Sequence, residues 1–284
     1  MSAPLLVQAG PDAERAGTVG PVIASLPVSF APADGGPDVV ALAGTAGWTA
    51  AATEAVRSGV RGVVVVDPVA EDPAALAAAA AGAGTAVVLD QTWASNPILA
   101  ESQVAVRTAI ADALADAVLL DSVAWGVPGT DPEVLLTRHL GTVLAVGVEL
   151  KDLRVIQRNS NGYTVIGSLP GGAPAALQGI TTSSLPATAT VSVLTSTGRA
   201  DITLPDASAG WPAEVRSVTA AGAATFPTTY ESAHRHSWRR LRAAVDSGAP
   251  EADLERFAAL TELVGQLHDS PRSPRSPRSP QQPH

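Results

Sequence analysis

The chain has 284 residues, 46% of them hydrophobic, with a formal net charge of −9 and no cysteine. That is enough apolar material for one large domain or two smaller ones, and the lack of cysteine excludes a disulfide framework or a thiolate metal site. The acidic balance speaks against nucleic-acid binding, no apolar run is long enough to span a membrane, and no basic-then-apolar leader opens the chain, so the expected location is cytoplasmic.

Residues 5–10 read as a first strand. The turn after it, Ala9-Gly10-Pro11-Asp12-Ala13-Glu14, stands where a dinucleotide fold carries G-x-G-x-x-G. Only one glycine is in place. Pro11 has no N–H to offer a phosphate, and Asp12 and Glu14 bring negative charge. A plain strand-to-helix turn with proline at the first helical position fits the same residues. Residues 22–24 and 26–30 suit a second strand or a loop, and residues 33–37 are turn chemistry.

Residues 39–44 and 61–68 are short, continuous, Val-rich runs, the pattern of strands buried on both faces. Between them residues 48–57 form an Ala-rich helix stopped by Gly59, which completes a βαβ unit. Ligands bind such sheets beyond the carboxyl ends of the strands, here residues 44–47 and 67–70. A helix follows from Asp72-Pro73 to Gly82 or Gly84, then a buried strand over 86–90. A loop over 91–97, a helix over 97–115 and a strand over 117–125 come next. Asp131 caps a helix that begins at Pro132.

From residue 146 the texture changes. Residues 148–157, 162–167, 175–182, 187–194 and 198–204 alternate and are broken by Asn-Gly, Gly-Gly and Ser-Thr-Gly turns, which predicts an antiparallel meander. Val165, Ile180, Val191 and Val193 leave a sheet face in need of cover. Residues 228–247 and 251–267 read as closing helices. The end is a Ser-Pro-Arg repeat that favours neither helix nor sheet. The predicted fold is α/β plus α+β: a truncated Rossmann-like parallel sheet over 1–125, then an open, mostly antiparallel sheet with closing helices over 126–268. A disordered tail over 269–284 follows.

Few residues point to chemistry. Lys151 is the only lysine. His139, beside Arg138, suits a general base, an anion contact, or a partly exposed helix histidine. Arg235, Arg239 and Arg242 share a helix face and could grip a carboxylate or phosphate, or pair with the chain's own acids. Trp48 and Trp93 flank the expected crevice, to stack on a ring or to cover the sheet. No metal-binding spacing and no G-x-S-x-G turn occurs.

The order of these motifs resembles the glucose–fructose oxidoreductase/inositol dehydrogenase (Gfo/Idh/MocA) family over residues 37 to 267. Pro37-Asp38-Val39-Val40-Ala41-Leu42-Ala43-Gly44 is similar to that family's PDVVVIATP strand, and Val63 to Ala70 to its strand ending in EKPLA. Gly198 to Pro205 resembles its sheet edge, and Tyr230 to Leu254 its last helices. The resemblance implies NAD(P) held around Gly10, Gly44, Thr45 and Pro68. It also implies a lysine where this chain has Asp67, and a D-x-x-x-H motif whose nearest counterpart ends at His139. About 36 residues precede the Pro37-Asp38 strand, against about 60 for a full half-site, since one crossover unit takes about 30. The expectation is therefore a protein of this type that has lost nicotinamide chemistry and binds no cofactor. It would act as a binding or partner subunit in a homo- or hetero-oligomer through the second sheet, with a small-molecule ligand as a further option. The alternative is an active NAD(P)-dependent oxidoreductase on a sugar, cyclitol or polyol, and a third reading is an anion binder using the arginine helix.

Overall fold

The computed structural model describes residues 3–249 and 252–269. The Ser-Pro-Arg repeat lies outside these residues. The first layer is a five-stranded sheet made of β1 (Leu5–Ala9), β2 (Phe30–Pro32), β3 (Val39–Ala43), β4 (Gly62–Val66) and β5 (Ala86–Asp90), in the order β2-β1-β3-β4-β5. Every pairing in it is parallel.

Its helices are α1 (Pro11–Gly17), α2 (Val19–Ala24), α3 (Trp48–Arg57) and α4 (Ala74–Ala83). Successive valines of β4 point to opposite faces, because side chains alternate along a strand. Val63 and Val65 join Trp48, Val56 and Leu76 on one side. Val64 and Val66 join Ile23, Trp238 and Leu241 on the other. Such a side chain stabilises the fold by about 1.5–3 kcal/mol when fully buried, so both faces need cover.

Residues 22–24, expected as strand or loop, lie in α2. Val19, Val22 and Ile23 are spaced to bury one helical face, and all three are buried. The second strand is only the three residues of β2. The helix expected over 97–115 is broken. Asn96 Oδ1 accepts from Ile98 N at 3.1 Å and caps a short 3-10 turn at Pro97–Leu99, and α5 (Val104–Ala115) starts afresh.

The second layer is eight-stranded, in the order β13-β12-β11-β10-β6-β9-β8-β7. Its members are β6 (Ala117–Gly126), β7 (Lys151–Asn159), β8 (Gly162–Ser168), β9 (Pro174–Thr181), β10 (Thr188–Thr195), β11 (Arg199–Leu204), β12 (Glu214–Thr219) and β13 (Gly222–Thr225). β6 was expected at the end of the first unit, yet it lies inside this sheet, antiparallel to β10 and parallel to β9. Its burial alternates, with Leu120, Ser122 and Ala124 inward, as in a sheet with one solvated face. β6 thus belongs to the second sheet, and the central parallel pair means that sheet is not a simple meander.

Helices α5 and α6 (Pro132–Ala145) cover the inner face. Val165, Val191 and Val193 lie there, fully buried, so of the four residues expected to need cover only Ile180 is exposed. Of the closing helices, α7 (Ala233–Ser247) returns to the first sheet against β4 and β5, and α8 (Asp253–Asp269) packs against β5, α4 and α6. Helix α7 starts at Ala233 because Ser232 Oγ caps it, accepting from Arg235 N at 3.2 Å.

Candidate functional site

The strands of the first sheet deliver two carboxylates to their carboxyl ends. Asp67 follows β4 directly and Asp90 ends β5, and Asp67 N donates to Asp90 O at 2.8 Å. Asp67 has φ +49°, a left-handed backbone that Asp tolerates better than most residues. Its Oδ1 accepts from Thr92 N at 2.9 Å and also from the Thr92 hydroxyl. Its Oδ2 takes Arg138 Nη2, from α6, at 3.2 Å.

Asp90 is fully buried and receives His234 Nδ1–H at 2.7 Å and Ser237 Oγ–H at 2.8 Å. Burial alone would lower the His234 pKa, but Asp90, with Asp67 and Asp206 beyond it, outweighs burial and raises it. The result is a charge-compensated node that ties α6 and α7 to the ends of β4 and β5.

The crevice between β1 and β3 is lined differently. Gly10 is the N-cap of α1, and a Cβ there would meet nothing within 4 Å. Pro11 opens the helix and Asp12 lies exposed in its first turn, paired with Arg15 at 2.8 Å. Gly44 is structural: a Cβ there would lie 2.2 Å from Pro68 Cα, where the ends of β3 and β4 converge. Thr45 is exposed. The first N–H groups of α3 are already used. The Glu71 carboxylate accepts from Gly47 N and from Thr49 N and Oγ1.

A diphosphate needs open N–H groups at a helix start and a net positive field. Here one start begins with proline and an acid, and the other is filled by the chain's own carboxylate. The nearby cation, Arg138, is paired with Asp67. Proline at one helix start and the Glu71 carboxylate at the other reduce the N–H donors open to a diphosphate there.

His139 is not in this crevice. It is fully buried in the second layer, with Nε2 2.6 Å from Ser122 Oγ and Nδ1 2.8 Å from the Tyr163 hydroxyl. Ser122 gives its proton to Thr190 O at 2.7 Å. The imidazole must therefore donate from Nε2 to Ser122 and accept at Nδ1 from Tyr163. Burial pushes its pKa down to about 3. A neutral imidazole locked in one tautomer beneath a sheet is structural, and the general-base reading of His139 fails. Arg138, one residue earlier, faces the crevice instead.

Trp48 and Trp93 are 1% and 2% exposed, so both cover the sheet and neither is a stacking platform. Trp48 Nε1 donates to Val69 O at 2.9 Å, and its ring meets Phe257 edge-on at 5.6 Å. The arginines of α7 are claimed internally. Buried Glu231 holds Arg235 Nη1 at 2.6 Å and Arg239 Nη1 at 2.9 Å, and Arg242 bonds Asp246 at 2.8 Å. No group of three or more His, Cys, Asp or Glu among the described residues could hold a metal.

No protein-family model matches the chain, and no curated protein matches its sequence. Solved structures do match. A mutant of KijD10, a 3-ketoreductase from Actinomadura kijaniata in complex with TDP-benzene and NADP, aligns with TM-score 0.71 and 15% identity, over 95% of this chain and 98% of that one. UDP-N-acetylglucosamine 3-dehydrogenase GnnA from Acidithiobacillus ferrooxidans aligns with TM-score 0.65 and 13% identity, over 94% and 97%. The fold is that of the Gfo/Idh/MocA oxidoreductases.

Within this Gfo/Idh/MocA fold, Gly44 lies against Asp67 and Pro68, while sequence reasoning missed Asp90, Thr92, Glu71 and the partnership of His234 with Asp90. One of these carried a signal: like Asp67, Asp90 closes a Val-rich buried strand, where the carboxyl ends must lie. His234 carried none, since its partner is 144 residues away.

Proposed function

We propose that this chain is a Gfo/Idh/MocA-type protein that no longer uses a nicotinamide cofactor and serves as a non-catalytic binding or partner subunit. One observation carries the reading: Asp67, at the position where the family resemblance expects a lysine, is held by Arg138 and Thr92. A carboxylate bound in this way offers no cation to a substrate or to a nicotinamide. The acidic first turn of α1 and the Glu71 cap on α3 support it.

Partner binding would use the outer face of the second sheet. Ile166 and Ile180 are exposed there, and no helix among the described residues is long and apolar enough to cross a membrane. A cytoplasmic setting is part of the same proposal. Mass in solution tests the partner role: a dimer or larger assembly is expected, or a complex with a full-length relative, and a persistent monomer counts against it.

The alternative is an active NAD(P)-dependent oxidoreductase on a sugar or polyol. It is favoured by the end-to-end match to enzymes whose structures contain NADP. Titration of NADH and NADPH, read through the five tryptophans, separates the two. No saturable change is expected. Saturable micromolar binding would replace the first reading with the second.

A further inference from the structure

The edge of a sheet presents unpaired N–H and C=O groups that another strand can take up. The two sheets end on β2, β5, β7 and β13, and the first three are blocked. β2 is three residues long and ends on Pro32. At β5, Asp253 Oδ2 accepts from Leu89 N at 2.9 Å and Ser95 Oγ donates to Leu89 O at 3.2 Å. β7 carries Lys151, Asp152, Arg154 and Arg158, and its register against β8 shifts between Lys151 and Arg154 and again between Val155 and Gln157. Charges and bulges of this kind keep an edge from pairing.

β13 has no charge, bulge, cap or proline within it. Its residues Gly222–Thr225 are exposed and pair with β12 in unbroken register. Residues 217–230 contain no charged side chain, in a chain of net charge −9. Phe226 N donates to Val215 O at 2.9 Å, which fixes the alternation along the strand. Phe226, Ala224 and Gly222 turn their peptide groups toward β12, and Ala223 and Thr225 turn theirs outward.

We propose that β13 is an interface and that its occupant is β13 of a second copy of this chain, antiparallel about a two-fold axis at Ala224. The outward groups are self-complementary in that register. Ala223 and Thr225 stand symmetrically about Ala224, so Ala223 exchanges its hydrogen bonds with Thr225 of the second copy. Ala224 faces its own counterpart, and a methyl group fits a pair whose Cα atoms lie about 4.5 Å apart. Phe226 comes opposite Gly222, which has no side chain in its way. Two acidic chains repel, and an uncharged strip is where they can meet. The pairing is short and buries less than the about 1,200–2,000 Å² of a standard interface, so the dimer is weak and concentration-dependent. Trp211 and Tyr230, 73% and 79% exposed, flank the hairpin in sequence and offer further apolar area. This contact is separate from the outer sheet face and from the cofactor question.

The test is sedimentation of the full chain over a concentration series, where a monomer–dimer equilibrium is expected. Ala224→Lys sets like charges face to face and should weaken the dimer about tenfold or more. Ala224→Glu should do the same, and an equimolar mixture of the two variants should dimerise again. Ala224 is exposed, so these variants should fold. The chain has no cysteine, so Ala224→Cys should cross-link to itself on mild oxidation, because a Cα separation of about 4.5 Å lies within the range of a disulfide. A monomer at every concentration would overturn the proposal and leave the edge to a strand from another protein. A dimer that survives Ala224→Lys but is lost in Ile180→Lys would overturn it too, while sustaining the sheet-face contact of the proposed function.

Discussion

Asp67 and Arg138 meet at 3.2 Å across the seam between the parallel sheet and helix α6, 71 residues apart in sequence. The pair is largely withdrawn from solvent, with side-chain exposures of 13% and 30%. It stands at the carboxyl end of β4, where this fold puts its chemistry, and it uses that position to join two layers.

Placing a lysine at position 67 should therefore destabilise the chain. Asp67→Lys sets an ammonium against the Arg138 guanidinium and strips Thr92 of its acceptor, at a cost of about 2–4 kcal/mol. Adding Arg138→Asp should recover about 1 kcal/mol or more through the reversed pair. Urea unfolding of the four proteins in the cycle measures this. Strict additivity would show that the pair contributes nothing.

His234 gives a pH signature. Its pKa is raised above the ordinary 6.5 in the folded state. Its stabilisation is thus complete below 6.5 and is lost as pH rises through the higher folded value. The stability difference between wild type and His234→Gln should be largest near pH 6 and shrink by about pH 9. A gap that widens with pH would contradict the Asp90–His234 pairing.

His139 has the opposite sign. Its folded pKa of about 3 lies below the ordinary 6.5, so the folded state refuses a proton that the unfolded chain accepts. Stability attributable to this side chain is complete above 6.5 and falls below it by about 1.4 kcal/mol per pH unit. Nitrogen NMR at about pH 5 should find a neutral ring protonated on Nε2. Tyr163→Phe leaves Nδ1 buried without its donor and should cost about 1–3 kcal/mol. An imidazolium signal at that pH would remove the locked-tautomer account.

Two glycines that a cofactor reading would treat alike should behave differently. Gly44→Ala drives a Cβ to 2.2 Å from Pro68 backbone and should severely destabilise or unfold the first sheet. Gly10→Ala meets nothing within 4 Å and should cost about 1 kcal/mol or less, as a changed helix cap. Thermal unfolding compares them. Equal, large losses would mean that the turn after β1 makes a close contact this structure lacks.

The sequence by itself determined the layer types. The Val-rich runs of β3 and β4 demanded burial on both faces, the alternation after residue 146 demanded one solvated face, and the turn after β1 carried Pro11, Asp12 and Glu14 in place of two of the three glycines of a dinucleotide loop. Tertiary structure decided the rest. It put β6 between β9 and β10, sent α7 back across the chain to cover β4, turned His139 inward and gave Asp67 and Asp90 their partners. Local periodicity encodes how much of a segment is buried, and two well-matched apolar faces are interchangeable at that level. Which of them meet depends on long-range packing and on pairing each buried charge, and neither leaves a mark within a single stretch of chain.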